Sequence, residues 1–237
     1  MIDLNSLGLY KEKISSYLDE NALSISTKSN ILNMFKIKNY TGNGIKINGN
    51  VKIDENGIAT LFTNPTDYIK TNLKALDVMN STEFQIKFKT AHKLNRLVSS
   101  LTPRDVGSVI RVDCVATSAL GNGLVYDCNP SSSDDTITYF FKTQFDITKY
   151  YNQWLYLKVT NDNNNRTLTL STDENILVSL TSNVQGNITE NQQVILGQTQ
   201  LNTTYNTPNL QIDLSETYFK NGDTIISEWN LWLKIWT

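Results

Sequence analysis

From Trp154 to Ser171 the chain reads W-L-Y-L-K-V-T-N-D-N-N-N-R-T-L-T-L-S. Leu155, Leu157 and Val159 alternate with Trp154, Tyr156 and Lys158, so one face of an extended strand is apolar throughout. Asn161 to Asn165 interrupt with turn-prone residues, and Leu168 and Leu170 resume the alternation. This pattern predicts a β-hairpin. The same texture begins near Thr41. It predicts strands at 44–47, 51–53, 59–62, 68–71, 83–89, 96–101, 109–116, 124–128, 136–141, 154–160, 167–171, 176–180, 193–196 and 210–214. Phe84, Ile86 and Phe88 share one face and are expected in the core. Short strands without intervening helices predict an all-β sandwich or barrel.

Two stretches differ. Residues 5 to 20 place Leu7, Tyr10, Ile14, Tyr17 and Leu18 at helical spacing, with Lys11, Glu12 and Lys13 opposite. A helix this short must dock on something to persist. Two units follow: a helical attachment segment with its linker over 1–40, and a β-sandwich over 41–237. The tail I-I-S-E-W-N-L-W-L-K-I-W-T carries Trp229, Trp232 and Trp236 with imperfect alternation. It reads as a closing strand or as an apolar assembly contact, joined in the latter case by Tyr10, Ile14 and Tyr17.

Charge narrows the partners. Charged residues are 19% of the chain and the net charge is −2, so no basic surplus is available for phosphates. Nucleic acid is not expected. No run of about 18 apolar residues occurs, so membrane insertion is not expected. The N-terminus has no basic stretch leading into an apolar core, and no signal peptide is expected. Asparagine is abundant, at 29 residues against 11 glycines, and tolerates the left-handed conformations turns require.

Cys114 and Cys128 flank Gly121-Asn122-Gly123. A hairpin centred on residue 121 sets them opposite each other, with Ala116 and Tyr126 paired next. They are read as two small buried thiols in a reducing compartment. Two cysteines and the distant His92 make no metal-ligand cluster, and no cofactor is expected. His92 reads as a surface or satisfied histidine rather than a base.

Four segments together resemble the concanavalin A-like lectin/glucanase family in its laminin G-like form. They are Gly57 to Lys70, Glu83 to Lys89 (E-F-Q-I-K-F-K), the hairpin at Trp154 to Leu170, and Ile195 to Gly197 followed by Gln211 to Leu214. The resemblance implies a two-sheet antiparallel jelly-roll sandwich. Ile212 to Asp223, I-D-L-S-E-T-Y-F-K-N-G-D, is similar to a phrase that closes such domains in bacteriophage tail and fibre proteins. Tyr10 to Glu20 resembles the helix opening many tail-associated chains.

The family's hydrolase branch needs two carboxylates on one strand face, roughly 5 Å apart. That requires a Glu-x-Asp-x-Glu run, which this chain lacks. Asp173-Glu174 and the other adjacent acid pairs read as solvated turn residues. Some family members use calcium, for which Asp134 and Asp135 could supply oxygens, but a Ser/Asp-rich loop is the plainer reading. For sugar binding, the candidates are Tyr139, Tyr150 and Tyr151, in segments with Gln144, Asp146, Asn152 and Gln153 nearby, together with Asp134 and Asp135; the plainer reading has Tyr139 facing the core and Tyr150-Tyr151 stapling a loop. Trp154 is expected to pack rather than to form a sugar platform.

The resulting expectation is a non-enzymatic phage tail or head fibre module, made in the host cytoplasm, that binds host-surface carbohydrate or protein. The rival is a purely structural virion subunit. A glycan hydrolase with loop carboxylates such as Asp134 and Glu190 is a third reading. Expected partners are other virion proteins, a host-surface glycan and further copies of the chain.

Overall fold

The computed structural model describes residues 44–54, 56–62, 66–91, 94–100, 110–115, 123–129, 137–162, 164–198, 208–227 and 229. The predicted N-terminal helix with Tyr10, Ile14 and Tyr17, the boundary at residue 40, His92, Asp134, Asp135, Trp232 and Trp236 lie outside the described residues.

The fold is an all-β sandwich of two antiparallel sheets. In spatial order, one sheet contains β1 (Lys46–Asn48), β4 (Tyr68–Lys74), β13 (Gln193–Gln198), β6 (Leu94–Ser100), β7 (Ile110–Val115), β8 (Gly123–Cys128) and β9 (Thr138–Gln144). The other runs β12 (Ile176–Ser182), β11 (Asn165–Ser171), β10 (Leu155–Asp162), β5 (Glu83–Thr90), β14 (Pro208–Asn221), β3 (Ile58–Phe62) and β2 (Val51–Ile53). A short β15 (Thr224–Ile225) folds back on β14.

Alternation dictates what faces inward. Along β5 every second residue is buried, so Phe84, Ile86 and Phe88 enter the core, and Leu155, Leu157 and Val159 do the same on β10. The β10–β11 pairing sets Leu157 against Leu170 and Val159 against Leu168, which is the predicted hairpin. Across the interior, Phe84 meets Tyr126 of the opposite sheet edge-on, with ring centroids 5.8 Å apart, and stacks on Phe219. Such aromatic pairs add about 1 kcal/mol each beyond the area they bury.

Three local features depart from the sequence reading. First, a helix, α1 (Ala75–Asn80), follows β4. It buries Ala75, Val78 and Met79, and Asp77 accepts from the Lys74 amide at 2.7 Å. Second, the β7–β8 pairing is centred two residues earlier than expected. Cys114 lies opposite Leu124, Cys128 opposite Ile110, and Tyr126 opposite Val112. Gly123 belongs to β8 itself rather than to a turn. Four positions along a strand separate the cysteines by about 13 Å, too far for a disulfide. Cys128 is a buried free thiol.

Third, β14 bulges. Asp213 pairs with Lys87 and Tyr218 with Gln85, so Leu214 to Thr217 all stand against Ile86. The Thr217 hydroxyl accepts from the Lys87 amide at 3.1 Å, and its carbonyl accepts from the Trp229 indole at 3.0 Å. Trp229 is 1% exposed and meets Phe219 edge-on. Its indole therefore packs in the core and offers no surface for assembly.

Candidate functional site

The chain crosses from β9 to the opposite sheet through Phe145–Trp154. Ile147 plugs this crossing into the core at 1% exposure and starts a 3-10 turn over Ile147–Tyr150. Asp146 caps the turn, accepting from the Thr148 amide at 3.1 Å and its hydroxyl at 2.6 Å. Those bonds hold the Asp146 carboxyl below its ordinary range. Asn152 adopts φ +62°, and its amide reaches the Thr90 carbonyl at 2.8 Å, which fixes the crossing to the end of β5. Tyr150 is thereby stacked on Phe145 at 5.4 Å.

Opposite stands the β11–β12 turn. The Thr172 hydroxyl accepts from the Glu174 and Asn175 amides, and the Thr172 amide donates to the Asn175 carbonyl at 2.9 Å. This presents Asp173, Glu174 and Asn175 to solvent. Between turn and crossing lies a cleft of about 560 Å³ walled by Tyr150, Gln153, Trp154, Asp173, Glu174 and Asn175. Two aromatic rings thus meet two amides and two carboxylates.

Trp154 belongs to the solvent side of β10. Lys87 and Lys89 place their ammonium groups 5.3 and 4.8 Å from its ring centre. Neither lysine lines the cleft. Lys87 itself is bound by Asp213 at 3.2 Å and by Glu216. Burial alone would lower its pKa, but Glu216, Tyr156 and Asp213 outweigh this and raise it. Burial, with Asp173 beside it, pushes the Tyr156 hydroxyl up.

Of the residues expected to bind ligand, Tyr150 lines this cleft. Tyr151 packs against the core, with its hydroxyl buried. Tyr139 lies on the other sheet, opposite Asp127, with Lys142 over its ring at 4.9 Å. The structure does not bring it together with Tyr150. Glu190 is half-buried and accepts from Gln192 at 2.9 Å. Among the described residues no group of three or more His, Cys, Asp or Glu side chains is placed to hold a metal ion.

Trp154 and the T-D-E-N turn were missed as a unit. The alternation of Trp154 with Leu155 already puts the indole on the solvent side. Its meeting with residues 173–175 depends on how the crossing closes, which no local pattern encodes.

The outer face of the seven-stranded sheet holds a second polar cluster. Arg96 meets Asp113 at 3.1 Å, and Arg111 bridges Asp113 and Asp127. Arg96, Asp113 and Asp127 are all buried. Burial drives the Asp127 carboxyl up against the pull of Arg111. Closed to solvent, the ladder cross-links β6, β7 and β8.

No protein-family model matches this sequence, and no curated protein matches it. Among solved structures, it is similar to a botulinum neurotoxin type C whose cell entry depends on interaction with two ganglioside molecules. That likeness has a TM-score of 0.47 and 15% identity over 74% of this chain and 42% of that one. It is also similar to the CBM2 module of the evolved Dit of Lactobacillus casei BL23 phage J-1 (TM-score 0.46, 14% identity, 74% and 89% of the two chains). The binding domain of botulinum neurotoxin DC, in complex with rat synaptotagmin II, gives 0.45 and 12% over 81% and 46%. The chain thus spans under half the length of these toxin chains. At such identities and scores the likenesses assign neither ligand nor partner to this chain.

Proposed function

We propose that this chain is a non-catalytic, concanavalin A-like binding module that holds a cell-surface carbohydrate in the cleft between Tyr150 and the Thr172–Asn175 turn. The observation that carries this is the convergence of Tyr150 and Trp154 with Gln153, Asp173, Glu174 and Asn175 around one open space of about 560 Å³. A pyranose ring has an apolar C–H face and a rim of hydroxyls. The first needs an aromatic plane and the second needs planar acceptors and donors beside it. The volume lies in the range of small-ligand sites, roughly 300–1,000 Å³. Asp173 and Glu174 are consecutive, exposed turn residues, so their surroundings do not separate them into an acid and a nucleophile.

The virion setting belongs to the same proposal. Its support is the Ile212–Asp223 phrase, which in this fold forms the bulged half of β14 and its turn into β15. In that setting the module is made in the host cytoplasm and serves adsorption to the host.

The test is a glycan array and calorimetry with host-surface polysaccharide. Binding is expected, weakened about tenfold or more by either Tyr150→Ala or Trp154→Ala. Tyr139→Ala should leave it unchanged. Absence of binding, or binding that ignores both cleft substitutions, would overturn the reading. Capture by another virion protein instead would favour a purely structural role.

A further inference from the structure

On the solvent side of the eight-stranded sheet, cross-strand register lines up one row of side chains that ends at the cleft. Lys52 of β2 lies opposite Thr60 of β3, Thr60 opposite Gln211 of β14, and Gln211 opposite Lys89 of β5. Leu155 lies opposite Phe88, so Trp154 stands next to Lys89. The row faces outward: Lys52 is exposed and the other four are half-buried, while the chain neighbours Ala59, Ile212, Phe88 and Leu155 sit in the core. Adjacent strands stand ~4.8 Å apart, so the row runs about 19 Å from Lys52 to the indole that walls the cleft.

Charge along this row is unbalanced. Elsewhere on the same face cations and carboxylates are matched. Lys87 is held by Asp213 and Glu216, and Lys158 and Lys220 share Glu83. Among the described residues, Lys89 and Lys52 have no carboxylate partner. Lys89 holds its ammonium over the Trp154 ring at 4.8 Å. An ammonium carries three N–H donors, so the ring leaves donors for an anion. Between the two lysines, Gln211 donates to the Thr60 hydroxyl at 3.1 Å, which fixes its amide within the row.

We propose that this row continues the carbohydrate site, and that it takes a glycan chain carrying anionic oxygens (carboxylate, phosphate or sulfate) on a unit beyond the one in the cleft. The inference rests on the cleft reading and adds the ligand's charge and direction. Ring, amide and hydroxyl follow one another along the row, as a chain of sugars requires. The Asp173-Glu174 turn repels negative charge in the cleft itself, so the unit held there is neutral. Lys89, and Lys52 beyond it, complement negative charge on the units that follow. The glycan therefore runs from the turn towards β2, with its charged group away from the acids.

The probe is a printed array that pairs carboxylate-, phosphate- and sulfate-bearing oligosaccharides with their neutral counterparts, followed by calorimetry on the pairs that bind. The charged member should bind about fivefold more tightly at low salt, and the preference should shrink as salt rises. Which charged members bind identifies the anion. Lys89→Gln should bring the charged member down to its neutral counterpart, and Lys52→Gln should lower the preference for longer chains only. Neutral members that bind as tightly as charged ones, or a preference that Lys89→Gln leaves intact, would overturn the proposal. The cleft reading survives either result if Tyr150→Ala and Trp154→Ala still weaken both members. An array on which nothing binds overturns both, as does capture of polyglutamate in place of every glycan.

Discussion

Gly197 shows how much one residue can fix. It lies in β13 with φ +68°, and a Cβ built there would lie 2.6 Å from Leu61 Cδ2. Leu210 and Ile212 crowd the same point at 3.2 and 3.3 Å. All three belong to the opposite sheet, so this glycine sets how closely the layers approach. Gly197→Ala combines a left-handed backbone with overpacking and should cost roughly 2–4 kcal/mol, read as an earlier urea midpoint. Cys128 makes a second point at this scale. Burial, helped by Asp127, pushes its thiol up to about 11, so little thiolate exists at neutral pH. In a Cys114→Ser background, a thiol reagent should label Cys128 only as the protein unfolds. Fast labelling of the folded protein would show that the strand opens.

At the level of elements, each predicted strand falls on an observed one, because alternation and burial are the same fact seen twice; β14 alone runs well past its expected end at Leu214, to Asn221. What escaped was non-local or too short to repeat. Six residues from Ala75 to Asn80 cannot display a helical period. In the sequence the alternation ends at Leu214, and only when β5 is laid beside it does β14 continue through the extra residues Leu214 to Thr217. Arg96, Asp113 and Asp127 alternate as solvent-facing residues would, yet are buried.

Glu83 shows what such a polar face contributes in the other sheet. Burial raises its carboxyl, but hydrogen bonds from Lys158, Tyr218 and Lys220 prevail and hold it at about 2, against an ordinary 4.5. A depressed folded value means stability present above the ordinary value and lost as pH falls through the folded one. Allowing for screening of the partly exposed lysines, this amounts to about 1–2 kcal/mol. The advantage of the parent chain over Glu83→Gln should therefore shrink between pH 4.5 and 2. A gap that stays constant over that range would refute this role of Glu83.

Across the whole molecule, the centre of the eight-stranded sheet comes from opposite ends of the described chain. β14 runs between β3 and β5, and β13 between β4 and β6. Such long-range pairing makes for slow, cooperative folding. A chain ending at residue 207 keeps β3 and β5 but lacks the strand joining them. It should show no cooperative melting transition, whereas the full chain should show one.

The place of β14 in the order of synthesis has its own consequence. Translation at ~5–20 residues per second puts on the order of ten seconds between β5 and β14 leaving the ribosome. Throughout that interval the nascent chain holds one flank of β5 and one of β3 open, each a row of unpaired backbone amides and carbonyls beside an apolar face. Yield in the cell is then set by what shields those flanks from neighbouring polysomes, and a slow codon cluster ahead of Pro208 would harm it more than one anywhere after.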